Sequence, residues 1–379
     1  MSNNNSVNVH MSPNNLVVAC ICTSDYLWQY ELLAKSIRRW SDFRIVLCIP
    51  DMDSMCNAFD DVADYVVSLS EIAGNDCTLL HRLYSGIELC CVLKPYIIQH
   101  VIDRFGYCLY IDNDVCFYSS ITSLCDQFRF GDVVLFPHRL SMKNYDNRNL
   151  SINTEVLKTG YFNAGMLMAS TGGWDALERW KESIKLSCVI DVDNGLYVDQ
   201  VWLCSMFGSE SKIHICTDAG HNIAYWNFDE RLTVVTFPGS DLTNVKSIHY
   251  SGFNSEMLTL KRASKYSNVS IPDRLLPLFI DYDNQRRLNI PATVIHPRLA
   301  EFSSEIRNRY RLGILTSGLL LTRDILGITD IEAGATSEAL NDYLLKTRQN
   351  VVLLLTRKTL WCLLQAIFTK VIRKLLRIN

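Results

Sequence analysis

A run of seven consecutive apolar residues, Leu16 to Cys22, constrains the fold of this chain more than any other local feature. A strand that is apolar at every position must be covered on both faces, which is typical of the parallel sheets of α/β proteins. Further apolar strands are predicted at 44–49, 65–69 and 107–111, and helical periodicity separates them. Strands that alternate with helices in this way predict an open, largely parallel sheet flanked by helices.

The same patterns predict the elements around this sheet. A Thr23-Ser24-Asp25 cap precedes a helix that runs to about Trp40. A second helix is predicted from Leu79 to Phe105 with a break at Lys94-Pro95, because proline removes a backbone donor inside a helix. The polar stretch from Lys143 to Thr154 predicts a mobile loop, and Leu232 to Phe237 predicts a short strand.

Composition and charge exclude some classes of protein. With 379 residues, the chain can form one large α/β domain with an appendage, or two domains. A formal net charge of −3 gives no global basic field, so we expect no nucleic acid partner. Many of the 14 cysteines lie inside apolar strand or helix patterns and are predicted to be buried thiols. Together with the lack of a secretory signal pattern, this predicts a cytoplasmic protein.

Changes of pattern along the chain predict its organisation. An Asn-rich stretch over residues 1–15 predicts a disordered head, and the α/β pattern occupies residues 16–265. Prolines interrupt the periodicity over 266–302, which predicts a linker region. Residues 303–379 read as helices joined by short polar turns and form a predicted C-terminal extension.

The sequence pattern predicts a basic amphipathic helix at the end of this extension, over residues 356–379. It holds six basic residues and no acidic residue, and apolar residues recur at helical spacing. Such a helix is suited to an anionic membrane surface, here the inner face of the membrane. Packing on the core with a solvated basic rim is an alternative that the pattern leaves open.

Asp112 and Asp114 follow the strand 107–111 and are one residue apart. In an extended backbone such residues point to the same side, so their carboxylates can share one ligand. Two anionic oxygen donors at the carboxyl end of a strand suit Mg²⁺ or Mn²⁺, which keep positions open for substrate phosphates. The pair indicates transfer from a metal-bound diphosphate, and a solvated turn after the strand is the alternative reading.

Three further clusters carry polar groups suited to a site. Asn163 is a short amide that can hold a hydroxyl, and Gly165 permits close backbone approach. Asp199 and Gln200 open a predicted helix, where the carboxylate faces a cleft or caps the helix. His249 ends a predicted strand and either completes a metal site with the two aspartates or is a structural histidine.

In this order the motifs resemble glycosyltransferases of the GT-A fold, the nucleotide-diphospho-sugar transferase superfamily. The resemblance spans roughly residues 16 to 255 and is carried by Val18 to Tyr26, Lys94, Tyr110-Ile-Asp112-Asn-Asp114, Phe162-Asn163-Ala164-Gly165, Asp199-Gln200 and His249-Tyr-Ser-Gly252. The chain is similar to the retaining galactosyl- and glucosyltransferases of family 8. It is also similar to bacterial glycosyltransferase-like proteins that share Gly195-Leu-Tyr-Val-Asp199-Gln200 and Asn222-Ile-Ala-Tyr-Trp226-Asn227.

The sequence departs from family 8 after Gly252. Family 8 continues there with Lys-Pro-Trp, whose lysine touches the diphosphate, whereas this chain reads Phe253-Asn-Ser. That lysine contact and the specificity of family 8 are therefore not carried over.

The resemblance implies a GT-A fold, Rossmann-like with a mostly parallel sheet, followed by the helical C-terminal extension. It implies that Asp112, Asp114 and His249 hold Mn²⁺ or Mg²⁺, which bridges the donor diphosphate. The donor would also contact Thr23, Tyr26, Lys94 and Gly252. Asn163, Asp199 and Gln200 would surround the reacting carbon of the sugar, where Asp199 or Gln200 stabilises its oxocarbenium character.

The implied function is metal-dependent transfer of a sugar, with retention, in polysaccharide biosynthesis. The expected donor is a nucleotide sugar, a UDP-sugar in the first place, and the acceptor is a glycan or a lipid-linked molecule. One alternative is a haloacid-dehalogenase-like phosphatase with Asp112 as nucleophile, but that motif normally opens its domain and here about ninety residues precede it. The other is an inactive GT-A scaffold that binds a sugar nucleotide.

Overall fold

A computed structural model describes residues 16–52, 63–129, 131–142, 147–192, 195–234 and 244–289. All of these fall in one structural unit, residues 1–299, and a second unit begins at Ala300. The predicted disordered head over 1–15 and the predicted extension over 303–379, with its basic segment 356–379, lie outside the described residues.

Strands and helices alternate along the described part of the chain. The strands are β1 (Leu16–Ile21), β2 (Arg44–Cys48), β3 (Tyr65–Val67), β4 (Tyr107–Ile111), β5 (Val115–Phe117), β6 (Val133–Pro137), β7 (Phe162–Ser170), β8 (Ile190–Asp191), β9 (Leu196–Tyr197), β10 (Ile213–Ile215), β11 (Ser247–His249), β12 (Arg262–Ser264) and β13 (Ser267–Ser270). The α-helices are α1 (Leu27–Arg38), α2 (Leu69–Ala73), α3 (Cys77–Leu83), α4 (Gly86–Phe105), α5 (Thr122–Cys125), α6 (Asn147–Thr159), α7 (Trp174–Ile184), α8 (Phe228–Val234), α9 (Ser255–Thr259) and α10 (Leu276–Asn289). A 3-10 helix covers Gln200–Gly208.

The central sheet has the strand order β10-β6-β7-β4-β1-β2-β3. Strand β7 runs antiparallel to both of its neighbours, and the other pairs are parallel. All six residues of β1 are buried, as its uninterrupted apolar sequence predicts. The predicted α/β fold with a mostly parallel sheet, as expected for GT-A, is confirmed.

The helix before the aspartates breaks at a different place from the predicted one. Helix α3 ends at Leu83, and α4 then runs from Gly86 through Lys94-Pro95 to Phe105. The break falls at Ser85, which is extended, and at Gly86, whose φ of 54° favours glycine. Helix α4 packs on β1, β4 and α7, and this burial outweighs the cost of an internal proline, about 3 kcal/mol.

Two further sequence expectations were wrong. The stretch predicted as a mobile loop is helical from Asn147 onward, because Ile152 and Val156, four residues apart, form a buried stripe between polar residues. The first three residues of the strand predicted over Leu232 to Phe237 lie in helix α8, which buries Phe228 and Leu232, again four residues apart, and the other three lie outside the described residues. In each of these segments a pair of buried apolar residues at helical spacing stands among polar residues.

The aromatic core of the domain continues into the predicted linker region. Tyr282 of α10 stacks on Tyr250 with ring centroids 3.9 Å apart, and Phe279 packs edge to face on Tyr250 and Phe253. Helix α10 therefore packs on the α/β domain. Among the helices of the described ranges, none combines the length and the apolar character needed to cross a bilayer.

Candidate functional site

Three predicted metal ligands meet where β4, β5 and β11 come together. Asp112 follows β4, Asp114 precedes β5, and the antiparallel pairing of β5 with β11 sets His249 opposite Val115. One ligand atom from each of Asp112, Asp114 and His249 lies within 4.8 Å of the other two. The Nε2 atom of His249 is 3.0 Å from Oδ1 of Asp114. Residues far apart in sequence are thus assembled as one cluster.

The donor set of this cluster fits a hard divalent cation. Two carboxylates and an imidazole suit Mn²⁺ or Mg²⁺, and three protein ligands leave coordination positions for other oxygens. Gly165 leaves the space that the cluster needs, since a Cβ atom there would lie 2.6 Å from Cε1 of His249 and 2.8 Å from Oδ2 of Asp112. The residues present therefore fit Mn²⁺ or Mg²⁺.

His249 is held by a second hydrogen bond away from the cluster. Its Nδ1 atom lies 3.2 Å from Oδ1 of Asn222 and donates to it, so Nε2 is directed at Asp114. Asn222 is buried, and its backbone has a φ of 55°. Asparagine tolerates this left-handed conformation better than most residues. Burial opposes protonation of His249, but the Asp114 carboxylate outweighs burial and raises the His249 pKa in the absence of metal. A metal ion at this site would compete with the proton for Nε2 of His249.

The Asn163 amide extends this chain of hydrogen bonds into the core. Its Oδ1 accepts from Nδ2 of Asn222 and from the backbone N–H of Gly165, each at 3.2 Å. Its Nδ2 donates to Nε2 of His138 and to Oε1 of Gln200, each at 3.2 Å. All four hydrogen-bonding positions of Asn163 are thus used within the protein. Asn163 is thus linked to His249 through Asn222, and its expected contact with a substrate hydroxyl stays a prediction.

Lys94 is a buried cation between the aspartates. Its Nζ atom lies 3.0 Å from Oδ1 of Asp112 and 3.2 Å from Oδ2 of Asp199, and it donates to the carbonyl of Ala164 at 3.1 Å. Burial opposes the charge, but Asp112 and Asp199 outweigh it and hold the Lys94 pKa well above its usual range. For Asp199 burial is the larger effect, so its pKa is raised despite Lys94. Lys94 thus ties the cluster of Asp112, Asp114 and His249 to Asp199.

A cleft of about 720 Å³ opens beside this cluster. Asp112 and Asp114 line it, together with the other residues expected to contact a donor: Thr23, Tyr26, Lys94 and Gly252. The residues expected around the reacting carbon, which are Asn163, Asp199 and Gln200, are buried and are not among the lining residues. The structure therefore brings the donor residues to one cavity and places the other three behind its wall.

Several residues of the site have no assigned role in the sequence patterns. Asp51 accepts from the backbone N–H of Ser24 at 3.0 Å and from its hydroxyl at 2.7 Å, which fixes the loop that holds Thr23. Asn222 stands in a motif that the sequence shares with other proteins, but nothing in the motif pairs it with His249. These contacts join distant segments, and local periodicity carries no signal for them.

Two buried histidines make the stability of this domain sensitive to acid. His138 donates from Nδ1 to the carbonyl of Tyr161 at 3.2 Å, and burial lowers its pKa to about 4. Neither ring nitrogen of His221 has a hydrogen-bond partner among the described residues, and burial lowers its pKa to about 4 as well. Both side chains are neutral at pH 7.

We expect the free energy of unfolding to fall as the pH drops from about 6.5 towards 4. The unfolded chain binds a proton at each histidine near pH 6.5 and the folded chain does so only near pH 4, so acid favours unfolding, by up to about 3 kcal/mol for His138. Urea unfolding across this pH range measures the loss. A His138→Gln variant, which keeps a donor and an acceptor, should reduce the slope, and an unchanged slope would exclude His138 as its source.

Comparison with known protein families gives a match over a large part of the chain. The sequence model of glycosyl transferase family 8 matches residues 17–212, more than half of the chain. Among curated proteins, none matches the sequence significantly.

Solved structures of three glycosyltransferases are similar to the described fold. GlyE of Streptococcus pneumoniae TIGR4 has 15% identity and a TM-score of 0.43, with 70% of this chain and 60% of that chain covered. The bifunctional WbbM has 14% identity and a TM-score of 0.43, with 73% and 50% covered. The galactosyltransferase LgtC, solved with donor and acceptor sugar analogues, has 16% identity and a TM-score of 0.42, with 73% and 97% covered. The chain thus spans about half to three fifths of the length of GlyE and WbbM.

Proposed function

The chain belongs to glycosyl transferase family 8, and we propose on this basis that it is a metal-dependent glycosyltransferase. It moves a sugar from a nucleoside diphosphate donor, in the first place a UDP-sugar, to a glycan or lipid-linked acceptor. The observation that carries the proposal is the cluster of Asp112, Asp114 and His249 beside a cleft of about 720 Å³. A cleft of this volume accommodates a nucleotide sugar.

The chemistry requires stabilisation of a leaving group that gains negative charge. A bound Mn²⁺ or Mg²⁺ supplies that stabilisation without proton transfer. Lys94 keeps Asp112 oriented, since its Nζ atom lies 3.0 Å from one oxygen of that carboxylate and 3.2 Å from the other. The phenol of Tyr110 donates to Oδ1 of Asp112 at 2.9 Å and restrains the same side chain. The protein thus holds the ligand rigidly before the donor binds.

Of the two residues proposed to stabilise the reacting carbon, the contacts favour Asp199 over Gln200. The Gln200 side-chain oxygen already accepts from Nδ2 of Asn163 and from the backbone N–H of Ala164. The Oδ2 atom of Asp199 lies 3.2 Å from Lys94 but makes no hydrogen bond with a described residue. Asp199 does not line the cleft in the structure described, so this role requires that the sugar reach past the cleft wall beside Lys94. We propose that this carboxylate stabilises the oxocarbenium character of the sugar and that the reaction proceeds with retention.

The phosphatase alternative receives no support from the contacts of Asp112. Its carboxylate pairs with Lys94 and clusters with Asp114 and His249, a set suited to a metal ligand. An inactive scaffold would not need the intact cluster of Asp112, Asp114 and His249. A cytoplasmic location with contact between residues 356–379 and the inner face of a membrane stays a proposal from sequence alone.

A screen of nucleotide sugars by thermal unfolding tests the proposed function. In the presence of Mn²⁺, at least one donor should raise the melting temperature, and excess EDTA should remove the shift. A donor present at about 100 times its Kd stabilises the folded state by about 2.7 kcal/mol, which is a measurable shift. Failure of every nucleotide sugar, or an equal shift in EDTA, would overturn the proposal.

A further inference from the structure

Two cationic side chains line the same cleft as Asp112 and Asp114 and have no role in the site described so far. Lys265 lies in the turn between β12 and β13, and Arg286 lies on α10. Neither forms an ion pair with any carboxylate among the described residues. Lys94, the other lining cation, is different because it is buried against two carboxylates.

The fold holds Arg286 in the wall of the cleft. Its guanidinium carbon lies 5.3 Å from the ring centroid of Trp28, and that ring packs edge to face on Tyr282. The Nε atom is shielded from solvent and has no hydrogen-bond partner among the described residues. The carboxylate of Asp283, on the same helix, pairs with Arg287 at 2.8 Å. Arg286 is therefore anchored by stacking while its charge stays uncompensated.

Lys265 is held close to the strand that carries His249. Its backbone N–H donates to the carbonyl of Gly252 at 3.0 Å. Gly252 has a φ of 68°, and a Cβ atom there would lie 2.6 Å from the ring of Tyr266. The turn that carries Lys265 therefore packs directly on the turn that follows His249. Lys265 is an exposed residue, and its Nζ atom lies 4.9 Å from the Tyr266 ring centroid.

The positive charges of Lys265 and Arg286 match the negative charges that a nucleotide sugar brings into the cleft. The charges of Asp112, Asp114 and Asp199 are cancelled by Lys94 and a divalent ion, so a loaded cluster is neutral with His249 uncharged. Each phosphate of a nucleotide sugar then brings one uncompensated negative charge into the cleft. Asp25 and Asp51 also line the cleft, and Asp51 accepts hydrogen bonds from Ser24. Lys265 and Arg286 are the two lining cations that form no ion pair with a described carboxylate, and charge-assisted hydrogen bonds from such groups to phosphate are strong.

We propose that Lys265 and Arg286 bind the diphosphate of the donor alongside the metal cluster and stabilise the departing nucleoside diphosphate. The inference rests on the proposed function, because it assumes a diphosphate in this cleft. It places the diphosphate contacts on the β12–β13 turn and on helix α10.

Binding of inorganic pyrophosphate and of UDP to the full chain with Mn²⁺ tests this assignment. We expect Lys265→Met and Arg286→Met each to weaken binding of both ligands by about tenfold, and the double variant by about a hundredfold. Binding of UMP and of Mn²⁺ alone should change less. Arg286→Lys keeps the charge and should retain most of the affinity. Lys212→Met, which removes an exposed lysine outside the cleft, should bind as the wild type does.

The outcomes separate the inference from the proposed function. If the wild type binds pyrophosphate with Mn²⁺ and the Lys265 and Arg286 variants bind it equally well, the inference is wrong and the proposed function stands. If the variants lose as much affinity for Mn²⁺ or UMP as they lose for pyrophosphate, their effect is structural and the inference is also wrong. If the wild type binds neither pyrophosphate nor any nucleoside diphosphate, the proposed function fails together with the inference.

Discussion

Replacement of Asp114 by asparagine should lower kcat/KM for donor hydrolysis by about a thousandfold, which corresponds to about 4 kcal/mol of transition-state stabilisation. The substitution keeps the shape of the side chain but removes one of two anionic ligands. It also removes the carboxylate that lies 3.0 Å from Nε2 of His249. The measurement is the initial rate of sugar release from the donor at saturating Mn²⁺.

Asp103→Asn is the matched control for this variant. Asp103 is an exposed aspartate on α4, and it does not line the cleft. We expect its rate to be that of the wild type. A reduction of less than about tenfold in Asp114→Asn would show that Asp114 is no metal ligand in the reacting enzyme.

Gly165→Ala should weaken Mn²⁺ binding by more than tenfold and reduce activity in proportion. The new Cβ atom would lie 2.6 Å from Cε1 of His249, 2.8 Å from Oδ2 of Asp112 and 2.9 Å from Oδ1 of Asn163. None of these groups can move freely, because each is tied into the hydrogen-bond chain of the site. Overpacking of this kind also lowers the free energy of unfolding by about 1 to 3 kcal/mol. Calorimetric titration with Mn²⁺ and urea unfolding measure the two effects.

Gly208→Ala controls for the loss of a glycine as such. A Cβ atom at Gly208 would approach only the end of the Arg179 side chain, at 3.3 Å, which is flexible and can move aside. Its Mn²⁺ affinity should therefore equal that of the wild type. Equal Mn²⁺ affinity in Gly165→Ala would mean that the ion does not occupy the space between His249 and Asp112.

Sequence reasoning predicted those parts of the fold that depend on local pattern. Strand β1 is buried because every residue is apolar, and Asp112 and Asp114 lie at a strand end because the apolar run stops there. The antiparallel direction of β7 was not predicted, since strand direction depends on how distant segments pair. For the same reason the pairing of β5 with β11 was not predicted, although His249 was expected beside the aspartates from the family resemblance.

Prolines misled the prediction beyond residue 265. Pro272 precedes α10 and accepts hydrogen bonds from Leu275 and Leu276, so it helps to begin the helix. Pro277 is the second residue of α10, where the missing N–H of proline leaves no bond unmade. The predicted linker region thus contains the helix that carries Arg286. The network around Asn163 was missed because amide side chains give no periodic signal.

Titration of metal-free protein with Mn²⁺, in the presence and absence of UDP, tests the central claim most directly. The claim is that Asp112, Asp114 and His249 hold a divalent ion that binds the donor diphosphate. We predict that one Mn²⁺ binds per chain, that UDP raises its affinity, and that Asp114→Asn abolishes its binding. UDP binding of equal strength in EDTA, or Mn²⁺ binding that is unchanged in Asp114→Asn, would contradict the claim.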